Sequence, residues 1–203
     1  MTQRGRNFLV LGAMAGIFIA FALAGRFLVD PSEMDKVNRG TLITPHIPIT
    51  RLELMTADEQ SWTAENMSGQ WSLMYLAGKQ CERGCKNALF YLMTRLRQSL
   101  AHDADRLRLI LVHTTPPSQD LEKFMDQKLG PMVELHGNAG PLRQALAPAF
   151  EAPDADPLHH LYLAAPDGQI FMWYPTHEDK KRLLKEADGI HTDIERTLKG
   201  SRI

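Results

Sequence analysis

From residue 46 onward, short apolar runs alternate with longer stretches in which apolar residues recur every three or four positions. Ile49, Leu52 and Leu54 predict a short strand, followed by a polar turn around Asp58 and Glu59. The run WSLMYLA, residues 71–77, has strand length and stops at Gly78. Cys85, Leu89, Leu92, Leu96 and Leu100 then step by four, three, four and four, the stripe of a helix with one buried face. A second buried strand, LRLILV at 107–112, is closed by His113 and by Pro116-Pro117. A helix over 118–129 has Ser118 as its N-cap. A short strand at 132–135 and a helix near 141–150 come next. LYLAAPDGQIFMWY predicts a hairpin turning at Pro166-Asp167-Gly168, and Leu183, Ala187, Ile190, Ile194 and Leu198 stripe a final helix.

Strand and helix in alternation, then a hairpin, then a last helix, predict an α/β domain. Crossover helices connect its parallel strands and cover the sheet faces. The order is that of a thioredoxin-like domain, here over residues 46–203. Ligands of such sheets bind beyond the carboxyl ends of the strands. The loop after residue 77 and His113 both lie at such ends, on strands expected to be neighbours.

The N-terminal part follows a different pattern. Residues 8–25 form an uncharged apolar run of 18 residues. A helix of that length spans about 27 Å, close to the thickness of a bilayer's hydrocarbon core. It predicts a single N-terminal transmembrane helix in contact with lipid. Arg4 and Arg6 lie before the run, so residues 1–7 are expected in the cytoplasm and the domain outside it. A cleaved signal peptide is the alternative, since Ala22-Leu23-Ala24 is a small-x-small site. Residues 26–45 read as a polar tether broken by Pro31, Gly40 and Pro45.

Composition adds mainly exclusions. The 23 Lys and Arg are offset by 24 Asp and Glu, so no nucleic-acid partner is expected. With only two cysteines in 203 residues, the core must come from apolar packing rather than a disulfide framework.

Those cysteines, Cys81 and Cys85, occupy the junction of buried strand and helix. A thiolate there is favoured by unpaired backbone N–H groups and the positive end of the helix dipole, with Lys79 and Arg83 nearby. Outside the cytoplasm such a pair has three uses: binding a soft metal such as cuprous copper, exchanging disulfides, or forming an inert bridge. A third ligand, typically an imidazole, separates the first two. His159 and His160 straddle an expected strand start, where alternation sends them to opposite faces. His113 ends a strand beside the cysteine loop. His46, His102, His177 and His191 sit in polar or terminal segments and are expected in solvent, and His136 at an edge. Met67, Met74, Met93, Met125 and Met172 are scattered over different elements and read as core filler.

The stretch NMSGQWSLMYLAGKQCERGC resembles the SCO/SenC copper chaperones, in which a membrane anchor precedes a thioredoxin-like domain. LVHTTPPSQDLEKFMDQKLG, VELHGNAGPLRQALAPAF and LYLAAPDGQIFMWY are similar to later elements of that family, extending the resemblance over roughly residues 41–199. It implies copper held by Cys81, Cys85 and one histidine, His160, His159 or His113 in that order of preference. It further implies delivery to the copper-binding subunit of cytochrome c oxidase, or contact with another assembly factor, at the outer face of a bacterial cytoplasmic membrane, in the periplasm. The family's histidine follows an Asp ahead of the hairpin, whereas Asp156 and Pro157 stand there in this chain. Its prolines beside the cysteines are replaced by Glu82, Arg83, Gly84 and Lys86. If Pro157 is the cis-proline of thioredoxin-like oxidoreductases, disulfide exchange at Cys81 and Cys85 is the favoured alternative. A third reading is an oxidase interaction protein that has kept the fold and lost the site.

Overall fold

A computed structural model of the chain describes residues 14–17, 38–78, 81, 83–152 and 154–201. It contains two compact units, Met1–Val37 and Asn38–Ile203. In the first unit, residues 14–17 are helical and exposed. The rest of the apolar run at 8–25 lies outside the described residues. Among the described residues, no helix is long and apolar enough to cross a membrane.

The second unit is built on one six-stranded sheet in the order β1-β6-β5-β2-β3-β4. The strands are β1 (Thr41–Pro48), β2 (Trp71–Ala77), β3 (Leu107–His113), β4 (Val133–His136), β5 (Leu161–Ala164) and β6 (Gln169–Tyr174). β2, β3 and β4 run parallel, with β2 and β3 in register from Trp71↔Leu107 to Ala77↔His113. β5 is antiparallel to both β2 and β6. β6 therefore runs in the same direction as β2, and both carboxyl ends lie at one edge.

The helices are α1 (Ala64–Met67), α2 (residues 83–99), α3 (Gln119–Lys128), α4 (Ala139–Leu146) and α5 (Lys180–Gly200). Alternation along β2 and β3 divides the core between the two faces. Leu73, Tyr75, Leu109 and Leu111 pack under α2 and α5, while Met74, Leu76, Ile110 and Val112 pack with Leu142 and Leu146 of α4. The expected cap holds: Ser118 Oγ accepts a hydrogen bond from Leu121 N at 3.2 Å.

The expected stripe of α2 is buried at every position from Cys85 to Leu100. The central segment, Ala88–Arg95, is wound as a π-helix. Ala88, Leu92, Leu96 and Leu100 are spaced by fours, as are Cys85, Leu89 and Met93. In a pure α-helix each four-residue step drifts about 40° around the axis. Looser π turns offset that drift and hold both rows against the sheet.

The N-terminal edge differs from expectation. The strand predicted around Ile49, Leu52 and Leu54 lies earlier, at Thr41–Pro48, and Ile49–Leu52 is a 3-10 helix. Thr41–Pro45, assigned above to the tether, is part of β1, which pairs antiparallel with β6. Ile43 and Ile47 supply the buried positions. β1 is an edge strand, where a proline's missing N–H costs no ladder bond, so Pro45 and Pro48 are tolerated. The strand's entry is held from α5: the buried Asp193 carboxylate accepts hydrogen bonds from Arg39 N at 2.7 Å and Gly40 N at 2.9 Å.

Candidate metal and disulfide site

Cys81 and Cys85 form a disulfide, their Cα atoms 5.1 Å apart. Buried β2 ends at Ala77, and α2 starts at Arg83. Cys85 thus sits in the first turn of α2, where unpaired N–H groups stabilise a thiolate once the bridge is reduced. The two sulfurs are unlike: Cys85 is 5% exposed, whereas Cys81 is only half-buried.

The segment before β5 meets the end of β2 at Leu76 and Gly78. Asp156 anchors it, accepting hydrogen bonds from Arg143 Nε and Nη2, both at 2.9 Å, and from Leu158 N at 3.1 Å. The Arg143 guanidinium holds the Asp156 carboxyl below the usual carboxylate range. His159 has a left-handed backbone, φ 63°. Its N–H donates to Leu76 O at 2.7 Å, and its carbonyl accepts from the Thr176 hydroxyl. The His159 imidazole lies against Gly78, so close that a Cβ there would come within 2.7 Å of Cε1.

His160 packs its ring near Phe150 (5.7 Å between centroids) and Trp173 (5.1 Å). Its Nδ1 is buried without a hydrogen-bond partner. Burial, reinforced by His159 and His177, pushes its pKa down to about 4. His160 is therefore neutral near pH 7, the protonation state in which an imidazole binds metal.

Cys85, His159 and His160 line one cleft of about 680 Å³, together with His177, Glu178 and Arg143. Both residues line the cleft, but their rings differ in surroundings as alternation predicts: His160 packs on Phe150 and Trp173 of the α4-side core, whereas the His159 ring lies on Gly78, beside Ala77 and Cys85 of the core under α2. His177, expected in solvent, is half-buried in this cleft. It lies three residues beyond the carboxyl end of β6, and the parallel direction of β6 and β2 brings it to the cysteine edge. The direction of the second hairpin strand was the available signal.

His113 is placed elsewhere. It is buried, its Nε2 lies 3.0 Å from Glu134 Oε2, and it lines a separate cleft of about 280 Å³ that shares no lining residue with the first. Burial lowers its pKa and the Glu134 carboxylate opposes that shift. Pro157 is buried, but the Asp156–Pro157 bond is not cis; the Thr44–Pro45 bond is. The Asp156 carboxylate, bonded to Leu158 N and Arg143, shapes this loop instead. Among the described residues, no three His, Cys, Asp or Glu side chains are gathered closely enough to hold a metal ion with the disulfide closed.

The sheet order, the crossover helices and a Cys-x-x-x-Cys pair at the end of β2 define a thioredoxin-like domain. Residues 71–201 match the family described as "transmembrane-like, thioredoxin-like, C-terminal domain", and the chain belongs to that family. A protein from Stutzerimonas stutzeri whose given name proposes copper binding is 22% identical over 178 residues, 81% of this chain and 84% of its own. Yeast Sco1 superposes with a TM-score of 0.50 at 16% identity, covering 79% of this chain and 97% of that one. A thiol:disulfide interchange protein from Bacteroides sp. gives 0.49 at 13% identity, over 82% of this chain and 94% of its own. The likeness to Sco1 is one of fold, and it agrees with the resemblance read from the sequence.

Proposed function

We propose that this chain is a membrane-anchored copper-handling protein of cytochrome c oxidase assembly. Its reduced Cys81 and Cys85 and one imidazole, His160 or His159, hold cuprous copper as cargo. The observation that carries this reading is the shared cleft at the carboxyl end of β2, which Cys85, His159 and His160 all line. The donors fit the ion in kind. Soft sulfur with imidazole suits Cu(I), and His160 offers a buried, unpartnered nitrogen. The closed bridge must first take two electrons and two protons from a dithiol reductant. Both thiols then lose their protons as the ion binds. Transfer follows by ligand exchange with the copper-binding subunit of the oxidase, on the periplasmic side of the membrane that residues 8–25 would span.

The test is the copper content of the reduced full chain under anaerobic conditions. One equivalent, lost in Cys81→Ser/Cys85→Ser and strongly weakened in His160→Ala or His159→Ala but not in His113→Ala, is expected. A reduced wild type that takes up no copper would overturn the reading.

The unequal exposure of the two sulfurs favours one second reading, disulfide exchange. An incoming thiolate would attack Sγ of half-buried Cys81, and the Cys85 thiolate would leave, stabilised by the start of α2. A reduction potential within the range of working dithiols, together with no copper binding, would select it.

A further inference from the structure

The second cleft carries metal-binding atoms that the cysteine site does not use. In the parallel β3–β4 ladder, His113 stands directly opposite His136. On the far side of His136, Met55 pairs with it through two backbone bonds: Met55 N donates to His136 O at 2.9 Å, and His136 N donates to Met55 O at 2.8 Å. Residues directly opposed in a ladder present their side chains on the same face. His113, His136 and Met55 thus form one row across three adjacent segments, and all three line the same cleft.

The spacing suits a shared ion. The two imidazole rings are 5.7 Å apart between centroids and inclined by 30°. Two imidazoles bonded to one ion through nitrogens at about 2.0 Å place their ring centres roughly 6 Å apart. His113 also has an orienting partner, since its Nε2 meets Glu134 Oε2 at 3.0 Å. A carboxylate on the far ring nitrogen is the usual device that fixes a metal-binding imidazole, and it makes Nδ1 the coordinating atom.

We propose that His113, His136 and Met55 form a second soft-metal site, taking cuprous copper, separate from Cys81 and Cys85. Two imidazoles and a thioether suit Cu(I) in kind. Without a thiolate the site holds its ion more loosely than a dithiolate does. It is therefore suited to temporary occupancy.

The test uses the full chain carrying Cys81→Ser and Cys85→Ser, so its outcome is independent of whether the cysteines hold copper. The probes are anaerobic Cu(I) and silver(I), a redox-inert ion of the same charge. One equivalent of each is expected to bind, with His136→Ala and Met55→Leu each weakening binding about tenfold or more. In ¹H–¹³C spectra, the His113 and His136 Cε1 signals and the Met55 methyl signal should move together over the first equivalent. His136 is exposed, so its replacement leaves the core intact. A cysteine-free chain that binds neither ion, variants that bind as their parent does, or a first equivalent that moves other imidazoles would each overturn the proposal.

Discussion

The imidazole of His159 rests on Gly78, the residue that joins β2 to the cysteine loop, with no room between them for a methyl group. A ring on the segment before β5 is thereby fixed against the backbone that leads to Cys81. Gly78→Ala should force the ring away, at a cost of about 1–3 kcal/mol, the usual range for overpacking. Urea denaturation measures the loss, and copper affinity of the reduced protein should fall with it. A variant as stable as wild type would show that the contact carries no strain.

The isolated protein should lose stability in mild acid through His160. Its pKa in the fold is lowered to about 4, from about 6.5 in the unfolded chain. The unfolded state binds the proton first, so this contribution is complete above pH 6.5 and is lost as pH falls from there towards 4. His113, also lowered by burial, acts in the same direction. Urea midpoints at pH 7 and pH 4.5 should differ less in His160→Phe than in wild type. Equal differences would remove His160 as the cause.

Asp156 acts in a lower window. Its carboxyl is held down by Arg143, so its contribution is present above the ordinary carboxylate pKa and lost as pH falls below it. Both side chains are about half exposed, 48% for Arg143 and 50% for Asp156. Asp156→Asn should therefore cost about 1 kcal/mol or less. Its clearer effect should be on the loop, seen as faster amide exchange at Leu158 and His159.

Much of this arrangement is legible in the sequence. The runs 71–77 and 107–112, the stripe from Cys85 to Leu100, the Pro166-Asp167-Gly168 hairpin and the last helix each follow a single periodicity, and each forms as expected. β1 was hidden because Pro45 read as a breaker, and only the strand's place at the sheet edge makes it acceptable. The site was legible only in part. The cysteines could be placed from the strand-to-helix junction. The His159 ring that lies on Gly78 belongs to a left-handed residue, which no apolar pattern reveals. The row formed by His113, His136 and Met55 depends on ladder register, and Met55 lies 58 residues before His113 in the chain.

Replacing Asp193 should have a large effect for a residue remote from both clefts. Asp193→Ala leaves the amides of Arg39 and Gly40 without their acceptor. Charge-assisted hydrogen bonds of this kind contribute about 1.5–3 kcal/mol, and the loss should lie in that range or somewhat above it. Denaturant midpoints measure it, and exchange of the Gly40 amide should rise more than that of amides in β2. An unchanged midpoint would show that solvent replaces the carboxylate without penalty.

The same carboxylate changes what the outermost strand can do. An unprotected sheet margin can peel away or recruit a strand from another molecule. Here the first residues of that margin are latched to the closing helix, so unzipping cannot begin at Gly40 without breaking a bond that spans 153 positions of sequence. A pull along the backbone at residue 38 is thus borne by the first and last elements of the domain together.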